Sequence, residues 1–256
     1  FKLGGPAHYL VEPRTTEELS ALVKACRRFR LHLFLLGGGS NLLVRDEGVD
    51  GGVVRLALLD RFADDGNGNV GVGAGYSLTR LVKESLDRGY VGLESLAGIP
   101  GTVAGAAIMN AGGKYGEIGQ YIASATVVDA DGDIHPLAGG EMLFEYRRSN
   151  LRKFILTDLL LKLNRGDTER ARELYRKIMD EKRATQPLGE HNAGCVFKNT
   201  PGFKTGKLID ELGMKGAKVG RIRISEIHAN FFVNDGGGSA KDVLAMIETV
   251  RNRVRE

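Results

Sequence analysis

Apolar residues recur along this chain with two periods, one near 3.6 and one near 2, and the switches between them lay out the expected elements. Between 15 and 30, Leu19, Leu22, Val23, Cys26 and Phe29 share one helical stripe, and Thr15 followed by Glu18 has the form of a capping box, so a surface helix is predicted. The run LHLFLL at 31–36 is short, apolar and bounded by glycine, which predicts a buried strand feeding into 37–41. Further strands are predicted at 42–45, 52–58 and 69–74, then a helix over 77–88 with Leu78, Leu81, Val82 and Leu86 inward. Residues 122–129 alternate into the turn signal Asp131-Gly132, and 154–163 reads as a long apolar strand. Residues 1–165 therefore form a glycine-punctuated α+β unit.

A highly charged helix with Leu174, Ile178 and Met179 at helical spacing connects that unit, over 166–183, to a smaller lobe at 184–256. In that lobe a helix is predicted near 204–212, a strand at 230–234 and a final helix from Ser239 onward. Its stripe of Val243, Ile247, Val250 and Val254 still runs at Glu256, and Phe1 also falls within an element, so native residues are expected beyond both ends. Cys26 sits on an apolar stripe and reads as a small core residue.

Composition narrows the class. With 42% hydrophobic and 27% charged residues over 256 positions the chain has the make-up of a folded globular protein, and no apolar run approaches the ~20 residues that span a bilayer. Two cysteines without CxxC spacing, and no leader-like N-terminal segment, predict a reducing cytoplasm. The net charge is −5 over 1–146 and +9 over 147–256. Basic residues spread over solvated helix faces would give the same count. As a binding feature it suits a small polyanion better than nucleic acid, because no Trp and 7% aromatics leave little surface for base stacking. Glycine, at 36 residues, is about twice its usual ~7% share and is clustered, so backbone must approach something closely.

The first cluster, Gly37-Gly38-Gly39-Ser40-Asn41-Leu42, lies between strand-like runs, where consecutive N–H groups form an anion-binding nest or simply a tight turn. No GK[ST] follows, so it is not a P-loop. The second, GVGAGY at 71–76, lacks the GxGxxG register of a dinucleotide fingerprint and implies only close approach to a ligand or a strand. The third, LAGIPGTVAGAAIMNAGG at 96–113, has the character of a loop entering a helix built of small residues, where donors and the helix dipole can reach a diphosphate.

GGGSNLLVRDEG, LAGIPGTVAGAAIMNAGG, YRRSN at 146–150, AGCVFKN at 193–199 and HANFFVN at 228–234 occur in that order, and the ordered set resembles the UDP-N-acetylenolpyruvoylglucosamine reductase family over essentially the whole chain. The resemblance implies an α+β fold of the vanillyl-alcohol-oxidase type, in which two subdomains, about 1–58 and 59–165, clamp noncovalent FAD and a C-terminal α+β domain binds a UDP-sugar. It implies that NADPH reduces FAD and that hydride then passes to the enolpyruvyl ether of UDP-N-acetylglucosamine enolpyruvate, giving UDP-N-acetylmuramate for peptidoglycan. None of His8, His32, His135, His191 or His228 lies in a covalent flavin-attachment motif.

Carried onto this sequence, the resemblance makes Gly37, Gly38, Gly39, Ser40, Asn41, Leu42, Gly75, Gly98, Ile99, Pro100, Gly101, Thr102, Gly105, Ala106 and Asn110 the cofactor shell. Arg147 of the YRxS segment matches the arginine that holds the substrate carboxylate, for which a guanidinium fork is suited. Cys195 stands where many members have Ser as proton donor. A thiol, with an ordinary pKa of about 8.5, carries its proton at neutral pH and gives it up more readily than an alcohol. Tyr146, Asn199, Lys207 and Asn230 match substrate-contacting segments. The family's catalytic Glu lies in a tail past the last helix, beyond this sequence, and neither Glu226 nor Glu256 is in its motif. With no long insertion after HANFFVN, the chain resembles the loop-lacking type II members. A monomer without nucleic-acid or membrane partners is expected. Another FAD oxidoreductase of the same fold, or a noncatalytic binding remnant, are the alternatives.

Overall fold

The computed structural model describes residues 1–200 and 202–256. The chain divides into two compact units, one of His8–Gly38 and Gly51–Met179, the other of Phe1–Ala7, Gly39–Asp50 and Asp180–Glu256.

In the larger unit, helix α1 (Thr16–Arg28) has half of the expected capping box: the Thr15 side chain accepts the Glu18 N–H, but the Glu18 carboxylate accepts the Arg14 N–H in place of that of Thr15; Leu19, Val23 and Cys26 are buried. A small sheet runs in the order Ala7–Val11, Val49–Arg55, Leu33–Leu36, with the last two parallel. The expected buried strand at 31–36 is thus an edge strand over Leu33–Leu36, with Phe34 49% and Leu35 40% exposed. Its neighbour Val49–Arg55 takes the central, buried position, because Gly51 and Gly52 let the chains approach: a Cβ on Gly51 would sit 2.5 Å from the His32 carbonyl.

The main core lies on a five-stranded antiparallel sheet in the order Ile134–Ala138, Ile122–Val128, Ile155–Lys162, Asn69–Gly73, Phe62–Asp64. Val70, Val72, Val127, Leu159 and Leu161 are buried in it together with Leu78, Leu81 and Val82 of α2 (Leu78–Asp87), which Ser77 caps by accepting the Arg80 N–H. The Ile134–Ala138 strand has no counterpart among the elements the sequence predicts; Pro136 fits there because the strand is at the edge and needs no donor on its outer side. The central strand carries a bulge between Leu156 and Asp158. There Thr157 turns its carbonyl to the Ala74 N–H at 2.8 Å, which aims the segment after Asn69–Gly73 out of the sheet and towards α3 (Val103–Ile108).

Helix α4 (Thr168–Thr185) is the predicted charged helix, with Ala171 and Ile178 buried. In the smaller unit, α5 (Thr205–Glu211), α6 (Ala240–Arg255) and an antiparallel sheet of Lys218–Val219, Ile222–Ile224 and Phe232–Asn234 enclose Ile209, Ile224, Phe232, Val243 and Met246. Residues 1–6 carry no helix or strand, contrary to expectation, and Phe1 and Leu3 pack against this core.

The strand expected at 42–45 is also absent. The segment is held instead by tertiary partners: Leu43 packs on the small core, and the Asp46 carboxylate accepts the Ala240 N–H at 2.7 Å and the Lys241 N–H at 3.0 Å at the start of α6. Orphan donors at a helix start are satisfied best by an anion, so this carboxylate ties the loop to the helix. Asp46→Ala is expected to destabilise the protein by about 1–2 kcal/mol, with Asp46→Asn losing less. Urea unfolding midpoints measure it; an unchanged midpoint in the Ala variant would show that the carboxylate does not hold the loop.

Candidate functional site

Gly37 and Gly38 of the first glycine-rich segment converge with the second and third segments in the larger unit. A Cβ on Gly37 would lie 2.9 Å from Thr102 Oγ1, and one on Gly38 would lie 2.8 Å from the Gly101 Cα, so the first and third segments touch backbone to backbone. The second joins them through main-chain bonds: Leu78 N–H donates to the Gly101 carbonyl at 3.0 Å, Val103 N–H to Tyr76 at 2.9 Å, and Ala104 N–H to Ala74 at 3.2 Å. Gly75 is glycine because its α-carbon meets the Leu56 carbonyl, which an added Cβ would approach to 1.9 Å. The close approach inferred from GVGAGY is therefore to backbone.

Gly98 and Gly101 have φ of +69° and +109°, which bends GIPG tightly before Thr102 caps α3 by accepting the Gly105 N–H. Ala106 is buried, Gly98, Ile99, Gly101, Thr102 and Gly105 are half-buried, and Gly37, Gly38 and Pro100 are exposed or partly so. The result is a shallow cradle of small residues whose glycine backbone at 37–38 no side chain of its own can cover. Beside it, Ser95 Oγ is buried and has no hydrogen-bond partner among the described residues, a hydroxyl that the sequence gives no reason to single out. Gly39, Ser40, Asn41 and Leu42 continue the first cluster but belong to the smaller unit.

Arg147 and Tyr146 form the two-residue tip of a hairpin whose paired residues are Phe144–Glu145 and Arg148–Ser149. Arg147 has φ +56°, a left-handed conformation that costs an arginine roughly 1 kcal/mol or more, and its guanidinium carbon lies 5.2 Å from the Tyr146 ring centre. The remainder of YRRSN is architectural: Ser149 Oγ donates to the Ile108 carbonyl at 2.9 Å, and Asn150 bridges Leu143 and Glu141.

In the smaller unit, Cys195 is exposed, is not in a disulfide, and pairs with Phe231 in an isolated antiparallel bridge. Asn230, expected at the substrate, is 2% exposed, and its amide is spent on Phe197, accepting that residue's N–H at 2.9 Å and donating to its carbonyl at 2.8 Å. With the Val196 N–H donating to the Asn230 carbonyl, this clamp fixes the segment that follows Cys195. Asn199 Oδ1 accepts the Thr205 N–H at 3.0 Å at the start of α5, and Lys207 on α5 is exposed and ion-paired with Glu211 at 3.4 Å. Arg147 and Cys195 thus fall in different units, as do Gly38 and Gly39.

His228 sits under the clamp. Its Nδ1 accepts the Asn230 N–H at 3.2 Å, and Gly206 of α5 passes so near that a Cβ there would be 2.6 Å from the ring. Burial holds the imidazole below its ordinary pKa of 6.5, with the Lys215 charge acting in the same direction and Asp210 against it. The unfolded chain therefore binds the proton first as pH falls. His228 costs no stability above pH 6.5 and increasingly destabilises the fold below it, down to its depressed native pKa. Replacing His228 by Gln is expected to shrink the drop in melting temperature between about pH 7.5 and 5.5; an equal drop in both proteins would show that another group is responsible.

A family model described as FAD binding domain matches residues 7–138, and one described as the C-terminal domain of UDP-N-acetylenolpyruvoylglucosamine reductase matches 186–256. The chain is 43% identical over 256 residues to UDP-N-acetylenolpyruvoylglucosamine reductase 2 of Symbiobacterium thermophilum, covering 99% of this chain and 83% of that one. It is 38% identical to the reductase of Clostridium novyi, covering 100% and 84%. The crystal structure of the Thermus caldophilus reductase superposes with a TM-score of 0.86 at 39% identity, over 98% of this chain and 90% of that one. A glucose dehydrogenase, Phl p 4.0202, shares the fold alone, with a TM-score of 0.51 at 18% identity over 64% of this chain and 36% of that one.

Proposed function

The chain belongs to the UDP-N-acetylenolpyruvoylglucosamine reductase family, and from that premise we propose how its own residues carry out the reduction of UDP-N-acetylglucosamine enolpyruvate by NADPH. The protein is an FAD-dependent oxidoreductase of peptidoglycan precursor synthesis. The observation that carries the reading is the glycine cradle, where Gly38 lies on Gly101 with no room for a Cβ, within the segment matched to an FAD binding domain.

The residues present fit the cofactor: exposed glycine backbone and the Thr102-capped turn offer donors to a diphosphate and polar ring atoms. Gly37, Gly38, Gly75, Gly98, Ile99, Pro100, Gly101, Thr102, Gly105 and Ala106, with Gly39, Ser40, Asn41 and Leu42, are the assigned shell. When bound, FAD accepts hydride from NADPH and delivers it to the methylene carbon of the enolpyruvyl group.

Hydride arrival at that carbon leaves an electron pair on the neighbouring carbon and, by resonance, on the carboxylate. Arg147 serves the carboxylate. A guanidinium fork binds it in the ground state and binds it more strongly as charge accumulates there, which lowers the barrier. A hairpin tip held in a left-handed turn presents that fork with little freedom to lose. Cys195 then donates its thiol proton to the carbon, forming a C–H bond, and the thiolate recovers a proton from solvent. Asn230 acts through the segment of Cys195 by fixing Phe197. Tyr146, Asn199 and Lys207 are the exposed polar groups assigned to the UDP-sugar, and Lys207 is able to exchange Glu211 for a diphosphate because the pair is solvent-exposed.

A proton-donating thiol must stay reduced, which supports a cytoplasmic location, and no helix is long and apolar enough to cross a membrane among the described residues. A monomer is the proposed state, checked by sedimentation.

Cys195→Ala is expected to leave bleaching of the flavin by NADPH intact while slowing its return to the oxidised spectrum with the enolpyruvyl sugar by about 10²–10⁴-fold, and Cys195→Ser to retain more of the rate. Anaerobic stopped-flow absorbance near 450 nm reads both steps, roughly where flavins absorb. Equal reoxidation in wild type and the Ala variant removes Cys195 from the reaction. Gly38→Ala is expected to fold but to purify with less flavin, since its Cβ wedges the first glycine segment off Gly101; full retention of the yellow cofactor would contradict the cradle.

A further inference from the structure

Resemblance places Asn110 in the cofactor shell, yet in this structure it is buried and both of its amide hydrogens are taken up within the fold. It is 1% exposed and adopts φ +42°, a conformation that asparagine tolerates better than most residues. Its Nδ2 donates to Glu117 Oε2 at 2.6 Å and to the Glu145 carbonyl at 3.1 Å, which uses both amide hydrogens. Its Oδ1 accepts the Gly119 N–H at 3.1 Å.

One of these bonds joins the end of α3 to the turn at Gly119, and the other two join it to two hairpins. One is 112–117, and Glu117 is in its paired base. The other is 144–149, and Glu145 is the residue immediately before the Tyr146-Arg147 tip. The second hairpin has other anchors at its base. Ser149 Oγ reaches the Ile108 carbonyl, and the Phe144 ring lies on Gly119, where a Cβ would come within 2.5 Å of it. Asn110 lies outside the hairpin, and its side chain bonds the main chain of Glu145, the step that leads directly into the tip. It does so from a buried position, where a lost donor is costly to replace.

We propose that Asn110 is a positioning residue for Arg147: it fixes the height and direction of the hairpin tip through the Glu145 carbonyl, and is not a contact to FAD. The inference rests on the assignment of Arg147 to the substrate carboxylate. It assigns Asn110 to the second half of the reaction only, because NADPH has no carboxylate in that role.

Asn110→Asp keeps shape and backbone preference but cannot donate to Glu145 and faces the Glu117 carboxylate. The N110D/E117Q pair sets an amide donor opposite the new carboxylate and repairs the link to the 112–117 hairpin, while the link to Glu145 stays broken. Asn110→Gly accepts the φ without burying a charge. The expected result for the FAD-loaded pair and for Asn110→Gly is reduction by NADPH within about twofold of wild type, with reoxidation by the enolpyruvyl sugar slowed about 10- to 100-fold, the scale of a small misplacement of a reacting group. In an R147A background the same changes are expected to add almost nothing to that step. Amide hydrogen exchange, read by mass spectrometry, is expected to quicken in 144–149. Equal slowing of both half-reactions, or full additivity with R147A, overturns the inference. An R147A enzyme that reoxidises at the wild-type rate overturns the carboxylate assignment and this inference with it.

Discussion

Backbone packed directly on backbone is the constraint on which the rest of this molecule depends. Gly37 and Gly38 lie against Thr102 and Gly101, Gly75 lies against Leu56, and the segment around Tyr76 is bonded to the segment around Gly101. Each contact excludes a side chain, so three stretches far apart in sequence must be poor in bulk at the same place. At Gly37 and Gly38 that exclusion leaves backbone exposed, the kind of surface a dinucleotide's phosphates require.

The strands beneath supply the rigidity. The bulge at Thr157 turns the carbonyl that receives Ala74, and this in turn aligns Ala74 and Tyr76 with the start of α3. A short helix of small residues would be marginal alone. Here it is pinned by main-chain bonds at its start and, just past its end, by Asn110, so the cradle and the Arg147 hairpin are referenced to one piece of backbone. The segment after Cys195 is fixed by the same economy of means: a single buried amide, that of Asn230, satisfies both main-chain polar groups of Phe197.

Motif residues thus divide into those that remain available to a ligand and those that hold them in place. Within YRRSN, Tyr146 and Arg147 are at the tip while Ser149 and Asn150 secure the legs. Within HANFFVN, His228 and Asn230 serve the clamp, and Asn234 is buried with its Oδ1 accepting the N–H groups of Gly236 and Gly238. In VRDEG, Asp46 secures the start of α6. A linear motif does not distinguish these two kinds of residue.

The sequence by itself determined the helices with stripes and caps, the central strands of the large sheet and the clustering of glycine, because periodicity and small size act locally and leave their mark on adjacent residues. It also determined the family, through five segments in a fixed order. Tertiary structure alone decided that 42–45 is a tethered loop and not a strand, that 33–36 lies at a sheet edge, and that Gly75 answers to a carbonyl. It alone decided that the amides of Asn110 and Asn230 are buried and bonded within the fold. Those outcomes depend on which groups meet across long separations in the chain, where a hydrogen bond made to one partner is withheld from every other.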